Sequence, residues 1–425
     1  MKGIVAALAA WALLAPQAAG AQAGKIKLDP ARIDRELKSF VDKGRVAGAE
    51  VLIWKDGREQ HYATAGLADR EAARPFSRDT QVQAYSMTKP VTGVALMQLW
   101  EQGKFGLDDP LARYLPQFAD VKVYDGTNPD GTLKLRPPSR PITIRDVMRH
   151  VAGLTYGDAG DPRAYGDAGK TVTAVWNKLQ PLSPDHTLAQ YAEILPQVPL
   201  LWDPGTHWHY STGADLQARL VEVLSGEPFD QYVAEHVFKP LAMTHSCWKC
   251  SADILPRLAM IYTPGKDGKL EPMVRDAWLV HNFAGKPMTE GGAGIVTTID
   301  DYMRFARMLL GQGELDGVRI LQPATVKLMS TEELDPRITE RQWLGSKGSG
   351  GFGLDFFVRT RPPKDAAENR GAVGEFFWDG FPSMLFWVDP ANQMAVVFAT
   401  QKVPFDGTLH HDIREAIYGA DYGSR

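Results

Sequence analysis

Residues 86–100 read SMTKPVTGVALMQLW, and the interpretation of the whole chain starts from this stretch. Ser86 and Lys89 lie three positions apart, so on a helix both side chains project from the same face. A serine hydroxyl becomes a nucleophile when a base takes its proton. A lysine amine at this spacing can be that base without any histidine. The pattern therefore indicates an enzyme that transfers acyl groups through a serine.

The residues after the motif distinguish it from a chance match. Ser-x-x-Lys occurs by chance about once in a chain of this length, and residues 246–249 (SCWK) are a second example. Only the first example precedes a helix signal: Pro90 is tolerated in a first helical turn, and residues 91–100 are apolar all round, as in a buried helix. We therefore expect Ser86 at the N-terminus of a buried helix, where the helix dipole favours a developing anion.

Two further stretches carry groups suited to the same chemistry. Residues 208–215 read WHYSTGAD before a helix-like run, and Tyr210 can bring its phenol into a cleft. Residues 376–381 read FFWDGF at a predicted strand edge, where Gly380 lets a substrate approach the backbone closely. The next N–H group, that of Phe381, can then point at an acyl oxygen.

The three stretches together resemble a known family. Ser-x-x-Lys, Tyr-Ser-x about 120 residues later and a strand with an x-x-Gly box are similar to the serine beta-lactamase and penicillin-binding-protein superfamily. The chain most resembles its class C beta-lactamase-like group, and especially the family VIII carboxylesterases, because Trp378-Asp379-Gly380 stands where beta-lactamases carry Lys-Thr-Gly. Supporting stretches are LDDP (107–110), YLP (114–116), ITIRDVMRH (142–150), GGAG (291–294) and TTIDD (297–301). The resemblance covers about residues 30–420.

This resemblance implies a mechanism and its residues. Ser86 is the implied nucleophile, and Lys89 and Tyr210 share the roles of base and acid. The backbone N–H groups of Ser86 and Phe381 are the implied oxyanion hole. The implied reaction forms an acyl-serine that water then hydrolyses. It needs a small-molecule ester as partner, and neither a cofactor nor a metal.

Two departures from the family pattern bear on the substrate. Thr212 stands where the family has an asparagine, and a hydroxyl offers fewer hydrogen-bonding groups than an amide. Trp378 replaces the lysine that binds the carboxylate of beta-lactams, and Asp379 adds a negative charge. We therefore expect Thr212, Trp378 and Gly380 to line a site for uncharged, short-chain carboxylic esters.

Other functions remain open from the sequence. A beta-lactamase, a D-amino-acid peptidase or amide hydrolase, and an acyltransferase can all use the same residues. A catalytically inactive binding or sensor module is the alternative without chemistry; Ser86 would then be a helix cap and Lys89 a surface lysine. The sequence contains no Gly-x-Ser-x-Gly and no His-Glu-x-x-His, which argues against an ordinary α/β-hydrolase and a zincin. We interpret His150, His207 and His209 as structural.

Composition and the first residues bear on partners and location. The chain has 47 basic and 51 acidic side chains, a balance that gives no reason to expect nucleic acid. Residues 1–23 have the pattern of a secretory signal peptide, with Lys2, an apolar run and small-residue cleavage triplets. We therefore expect an exported protein, periplasmic or secreted. No later stretch is long and apolar enough for a membrane helix.

The two cysteines form a Cys-x-x-Cys, Cys247 to Cys250. In an exported protein this pattern favours a local disulfide in a surface loop. A redox motif needs a strand before it and a helix after it, which are not predicted here. A zinc site needs more ligands, and His245 is the one nearby.

The hydrophobic pattern predicts an α/β (α+β) fold with a central antiparallel sheet flanked by helices. Both chain ends, 24–112 and 253–425, are expected to form this sheet-and-helix domain, and 113–252 a mostly helical domain with long loops. Predicted strands are 47–54, 60–67, 351–358, 371–377, 383–389 and 394–400. Predicted helices beyond 86–103 are 33–46, 142–150, 188–195, 214–225 and 406–418. The stretches 124–141 and 157–169 are predicted to be loops, because both are rich in turn residues.

Overall fold

The structure is a computed structural model that describes residues 26–157, 166–273 and 285–422. The predicted signal peptide, residues 1–23, lies outside the described residues. So does most of the predicted loop 157–169; its last residues begin a helix.

Strands are concentrated in the first and last parts of the chain, and helices follow one another between them over residues 144–233. The helices are α1 Pro30–Asp42, α2 Thr88–Glu101, α3 Ile144–Met148, α4 Gly166–Leu179, α5 Leu188–Ile194, α6 Gly213–Ser225, α7 Phe229–Val233, α8 Ile299–Leu310, α9 Pro323–Met329 and α10 Gly407–Tyr418. The strands are β1 Gly48–Lys55, β2 Arg58–Asp69, β3 Arg74–Pro75, β4 Val82–Gln83, β5 Val123–Thr127, β6 Leu133–Arg136, β7 Tyr262–Pro264, β8 Leu270–Pro272, β9 Val296–Thr297, β10 Glu314–Leu315, β11 Val318–Arg319, β12 Gly350–Phe352, β13 Phe357–Arg359, β14 Phe376–Gly380, β15 Met384–Asp389 and β16 Met394–Thr400.

The predicted fold class is confirmed by an eight-stranded antiparallel sheet. Its order is β12-β13-β14-β15-β16-β1-β2-β3, so the last strand of the chain pairs with the first. β15 and β16 are buried at every residue because helices cover them, and α8 packs on β1, β15 and β16. The hairpin turn at Asp56-Gly57 has positive φ at both residues, which asparagine, aspartate and glycine tolerate best.

Helix α2 is the buried helix predicted from its composition. A 3₁₀ turn, Tyr85–Met87, leads into it, and Pro90 lies in its first turn. Of its residues, all but Gln98, Trp100 and Glu101 are buried, and α6 and α7 pack against it. The Tyr302 hydroxyl donates to the Met87 carbonyl at 2.6 Å, which fixes the start of the helix.

Three local predictions were wrong. The predicted loop 124–141 contains the hairpin β5–β6. The predicted strand 351–358 is a hairpin, β12–β13, because Asp355 has φ +63° and the Gly353 N–H bonds to the Phe356 carbonyl. In the predicted strand 371–377, only the last two residues belong to β14. The two-domain division is a prediction that these elements do not test.

The predicted disulfide between Cys247 and Cys250 is present. The loop that carries it pairs with β9 through Cys247 and Val296. No helix in the described part of the chain is long and apolar enough to cross a membrane.

Candidate active site

Three side chains predicted from two motifs meet at one oxygen. The Tyr210 hydroxyl donates to Ser86 Oγ at 2.7 Å, and Lys89 Nζ donates to the same oxygen at 3.3 Å. Lys89 is 1% exposed, whereas Ser86 and Tyr210 are half-buried. Ser86 is therefore reachable from solvent while its two partners are held by the protein.

The backbone before Ser86 is strained. Tyr85 has φ +45°, a conformation that is a genuine outlier for a bulky side chain. Its ring packs against the ring of Phe381, with centroids 5.9 Å apart. This contact joins the turn that carries Ser86 to the end of β14.

Lys89 is held by the glycine loop 291–294. This loop supported the family resemblance, but we predicted no role for it. Lys89 Nζ donates to the Gly292 carbonyl at 2.8 Å, and the Gly292 N–H donates to Asp215 Oδ1 at 2.9 Å. A Cβ at Gly292 would lie 2.7 Å from the Tyr156 hydroxyl, 3.0 Å from Asp215 Oδ2 and 3.3 Å from Lys89 Nζ. Any larger residue would therefore enter the space where these three groups converge.

Three acidic side chains near Lys89 were also missed. Burial raises the pKa of Asp215, Glu290 and Asp355, and the positive charge of Lys89 acts in the opposite direction on each pKa. The pKa of Asp355 is raised to about 8. The sequence gives only a weak indication of these acidic residues, because Asp215 and Asp355 are charged residues in otherwise apolar stretches. Such perturbed groups mark a cleft as a functional candidate.

Thr212 does not hold Lys89. Its hydroxyl is buried and has no hydrogen-bond partner among the described residues, and its carbonyl accepts from the Tyr191 hydroxyl at 3.0 Å. The Gly292 carbonyl is the group that holds the lysine. The contact that holds the lysine therefore comes from a backbone carbonyl of another segment.

Trp378 and Gly380 pack against Tyr210 and the backbone before Ser86, respectively. Trp378 is 1% exposed, and its ring packs on Tyr210 with centroids 5.5 Å apart. A Cβ at Gly380 would lie 2.5 Å from the Ala84 carbonyl oxygen. We expected this glycine to admit a substrate, but the group that approaches it is the backbone just before Ser86.

Phe381 lies beyond the end of β14 and is 37% exposed. Strand β14 contacts the turn Tyr85–Met87. The predicted oxyanion hole, made by the N–H groups of Ser86 and Phe381, stays a prediction at this rim of the site.

The expected negative charge of Asp379 is offset. Lys347 and Asp379 are both buried and form an ion pair with each other. The Lys347 ammonium also lies over the rings of Phe405 (4.4 Å) and Trp343 (5.0 Å). The negative charge of Asp379 therefore does not act on a substrate as we expected, because it is paired within the core.

The histidines pack around the site. The His150 ring lies 4.8 Å from the Tyr210 ring, and burial lowers the pKa of His150 well below its ordinary value. His207 stacks on Trp202, and burial lowers the pKa of His209 to about 3. Neutral imidazoles at these positions support the aromatic packing. Within the described residues no group of His, Cys, Asp and Glu could hold a metal ion.

The chain is similar to known proteins along most of its length. The family model described as Beta-lactamase matches residues 33–419. Protein Rv1367c of Mycobacterium tuberculosis is 32% identical over 87% of this chain and 89% of that one. Esterase EstB of Burkholderia gladioli is 26% identical over 91% and 95%. The solved structure of EstCE1, titled a hydrolase with promiscuous acyltransferase activity, is 28% identical over 92% and 98%, with a TM-score of 0.74.

Proposed function

Since the chain belongs to the Beta-lactamase family of serine hydrolases, we propose that it is a carboxylesterase that cleaves short-chain esters through an acyl-serine. One observation carries this proposal: two proton-transferring groups contact Ser86 Oγ, Lys89 at 3.3 Å and Tyr210 at 2.7 Å. Tyr210 lies 124 positions from Ser86 in the chain, and an inert serine has no need of both groups. EstB, which bears the name esterase, matches over nearly its whole length.

The chemistry follows from this geometry. Ser86 Oγ attacks the ester carbonyl carbon as its single proton moves to the deprotonated member of the Lys89–Tyr210 pair. The carbonyl oxygen becomes an anion at the N-terminal turn before α2, where backbone N–H groups favour negative charge. The alcohol leaves with that proton. Water then attacks the acyl-serine carbonyl and gives a proton to the same pair, and Ser86 leaves with that proton.

Esters fit this site better than beta-lactams. The position of the family's carboxylate-binding lysine is held by Trp378, a neutral and buried side chain. The ammonium of Lys347 is nearby but is paired with Asp379. A neutral ester loses nothing from this arrangement, whereas a lactam carboxylate lacks its usual partner.

Covalent labelling tests the nucleophile. We expect a fluorophosphonate probe to add its mass to the wild-type protein and to the Ser246→Ala variant, but not to Ser86→Ala, by intact-mass spectrometry. Ser246 is the matched control because it belongs to the second Ser-x-x-Lys, and its hydroxyl is bound to Thr297 and Asp301. An unlabelled wild-type protein would favour an inactive binding module.

Substrate turnover tests the reaction. Hydrolysis of p-nitrophenyl butyrate should exceed that of nitrocefin, and the reverse order would make the protein a beta-lactamase. Acyl transfer is the second candidate, because an acyl-serine can pass to an alcohol and the EstCE1 title names that activity. Formation of a new ester when an alcohol is added during butyrate hydrolysis would identify it.

We also propose that the protein is exported. The signal-like residues 1–23 and the disulfide Cys247–Cys250 support this, since disulfides persist mainly in oxidising compartments. Expression of the full chain in a bacterial host should give protein outside the cytoplasm that lacks the first 23 or so residues. Full-length protein retained in the cytoplasm would contradict the proposal.

A further inference from the structure

A cavity of about 860 Å³ lies next to the candidate active site. Its walls include the indole rings of Trp202, Trp208 and Trp343, and the segment 339–345. Binding sites for small organic molecules have volumes of this order and a mainly apolar lining. The mechanism proposed above does not use this space.

The cavity lining contacts the candidate active site through Trp343. The Trp343 ring packs on the Tyr210 ring with centroids 5.2 Å apart, and the Tyr210 hydroxyl donates to Ser86 Oγ. The wall is also tied to the site through the backbone, because the Trp208 N–H donates to the Glu340 carbonyl and the Tyr210 N–H to Gln342 Oε1. A group bound in the cavity thus lies against Trp343, whose ring packs on the tyrosine that contacts the nucleophile.

We propose that this cavity binds an uncharged aromatic group of the ester substrate, an inference that rests on the esterase function proposed above. Indole rings recognise other rings by offset or edge-to-face packing. Two of the walls, Trp208 and Trp343, already meet edge to face at 5.3 Å, which fixes their orientation before a ligand arrives. Arg341 in the lining forms an ion pair with Glu332, so its positive charge is not available to an anionic ligand.

The aromatic group can belong to either half of the ester, and two substrates distinguish these sources. Naphthylethyl acetate places the ring in the alcohol half, and ethyl naphthylpropanoate places it in the acyl half. Ethyl butyrate is the reference without a ring. We expect at least one naphthyl ester to have a kcat/KM about tenfold or more above that of ethyl butyrate, in a pH-stat assay of acid release.

Two variants test whether the cavity causes this preference. A Cβ at Gly345 would meet no atom of the described residues within 4 Å, so Gly345→Trp can fill the space without a clash at the backbone. Gly345→Ser is its matched control, and Trp202→Ala removes one wall. Gly345→Trp and Trp202→Ala should each lower kcat/KM for the preferred naphthyl ester about tenfold, with ethyl butyrate changed less than twofold.

Equal losses on both substrates, or no loss on the naphthyl ester, would overturn the proposal. A calorimetric titration of the wild-type protein with naphthylethanol gives a second readout that needs no variant. Saturable binding that inhibits hydrolysis of the naphthyl ester and leaves that of ethyl butyrate unchanged supports the cavity, and absence of binding overturns it. Failure of the esterase proposal looks different: no ester of any kind is cleaved and Ser86 takes up no probe.

Discussion

At the residue scale, the candidate site depends on how one lysine is held. Lys89 Nζ contacts Ser86 Oγ and the Gly292 carbonyl, and it lies among buried acidic side chains. Asp215 binds the N–H of the same glycine whose carbonyl holds the lysine. Asp215 thus acts through Gly292 and through its charge, as a positioning residue rather than a catalytic one.

Loss of the Tyr210 hydroxyl tests its contact with Ser86. Tyr210→Phe keeps the ring that packs on Trp343 and Trp378, and it removes the group that donates to Ser86 Oγ. We expect kcat to fall about 100-fold or more, because general acid–base catalysis contributes on that order. Tyr114→Phe, which removes a hydroxyl bound to Asp109 away from the site, is the control and should keep its activity. A Tyr210→Phe enzyme within threefold of wild type would exclude the phenol from catalysis.

The charge of Asp215 is expected to shape the pH dependence of catalysis. Asp215→Asn keeps an oxygen for the Gly292 N–H but removes a carboxyl group whose pKa burial raises to about 6. The acidic limb of the kcat/KM profile should therefore move to lower pH, by about half a unit or more. The exposed Asp253→Asn variant should show the wild-type profile. An unmoved limb, with reduced activity at every pH, would mean that Asp215 has only a structural role.

At the element scale, close contacts at glycines join the segments that carry the site. The Gly380 backbone of β14 meets Ala84 before the nucleophile, and a Cβ at Gly291 would lie 2.3 Å from the Ala214 carbonyl in α6. Helix α2 approaches the turn between β12 and β13 in the same way, at Gly93. These contacts fix the separations between Ser86, Lys89 and Tyr210, which come from different elements.

Substitution of Gly93 tests the packing of α2. Helix propensity alone predicts that Gly93→Ala stabilises the helix by about 1 kcal/mol. The structure predicts the opposite sign, because a Cβ there would lie 2.4 Å from Asp355 Oδ2. We expect the free energy of unfolding in denaturant to fall by about 1–3 kcal/mol.

Two controls accompany this measurement. Gly407→Ala, at the start of α10, meets only the Phe405 ring at 3.4 Å and should change stability little. In an Asp355→Ala background, Gly93→Ala should lose most of its cost, since the obstructing atoms belong to Asp355. A stabilised Gly93→Ala single variant would show that α2 and the turn are farther apart than described.

At the scale of the whole molecule, buried charge makes stability depend on pH. Burial raises the pKa of Asp355 from 3.8 to about 8 in the folded protein. Between these values the folded chain keeps a proton that the unfolded chain loses. The contribution of this group to stability is therefore fully present below about pH 4 and is lost as the pH rises to about 8.

An isosteric variant measures this contribution. Asp355→Asn retains an oxygen for the Gln217 amide, which donates to Asp355 Oδ1 at 2.9 Å, and it does not titrate. We expect its free energy of unfolding to match wild type near pH 4 and to exceed it by about 1–3 kcal/mol at pH 8–9. Denaturant titrations at several pH values give the comparison. Parallel pH curves for the two proteins would show that Asp355 titrates normally in the folded state.

Local sequence patterns determined the main features of this protein. The apolar run after Ser86, with Pro90 in its first turn, was sufficient to predict α2, since a helix that is apolar all round must be buried. The strands β1, β2, β15 and β16 were predicted for a similar reason, from runs bounded by turn residues. The family resemblance based on three short motifs is confirmed by the family match, because those motifs carry side chains that the shared chemistry requires.

Only the tertiary structure decided what surrounds the nucleophile. Asp215 and Gly292 lie 77 positions apart, and Lys347 and Asp379 lie 32 apart. No local periodicity links such pairs. Their meeting depends on how helices and strands pack, and packing sets the charge near Trp378 and the cavity beside Tyr210. Sequence thus determined which groups can react, whereas the fold determined their distances, their burial and the space left for a substrate.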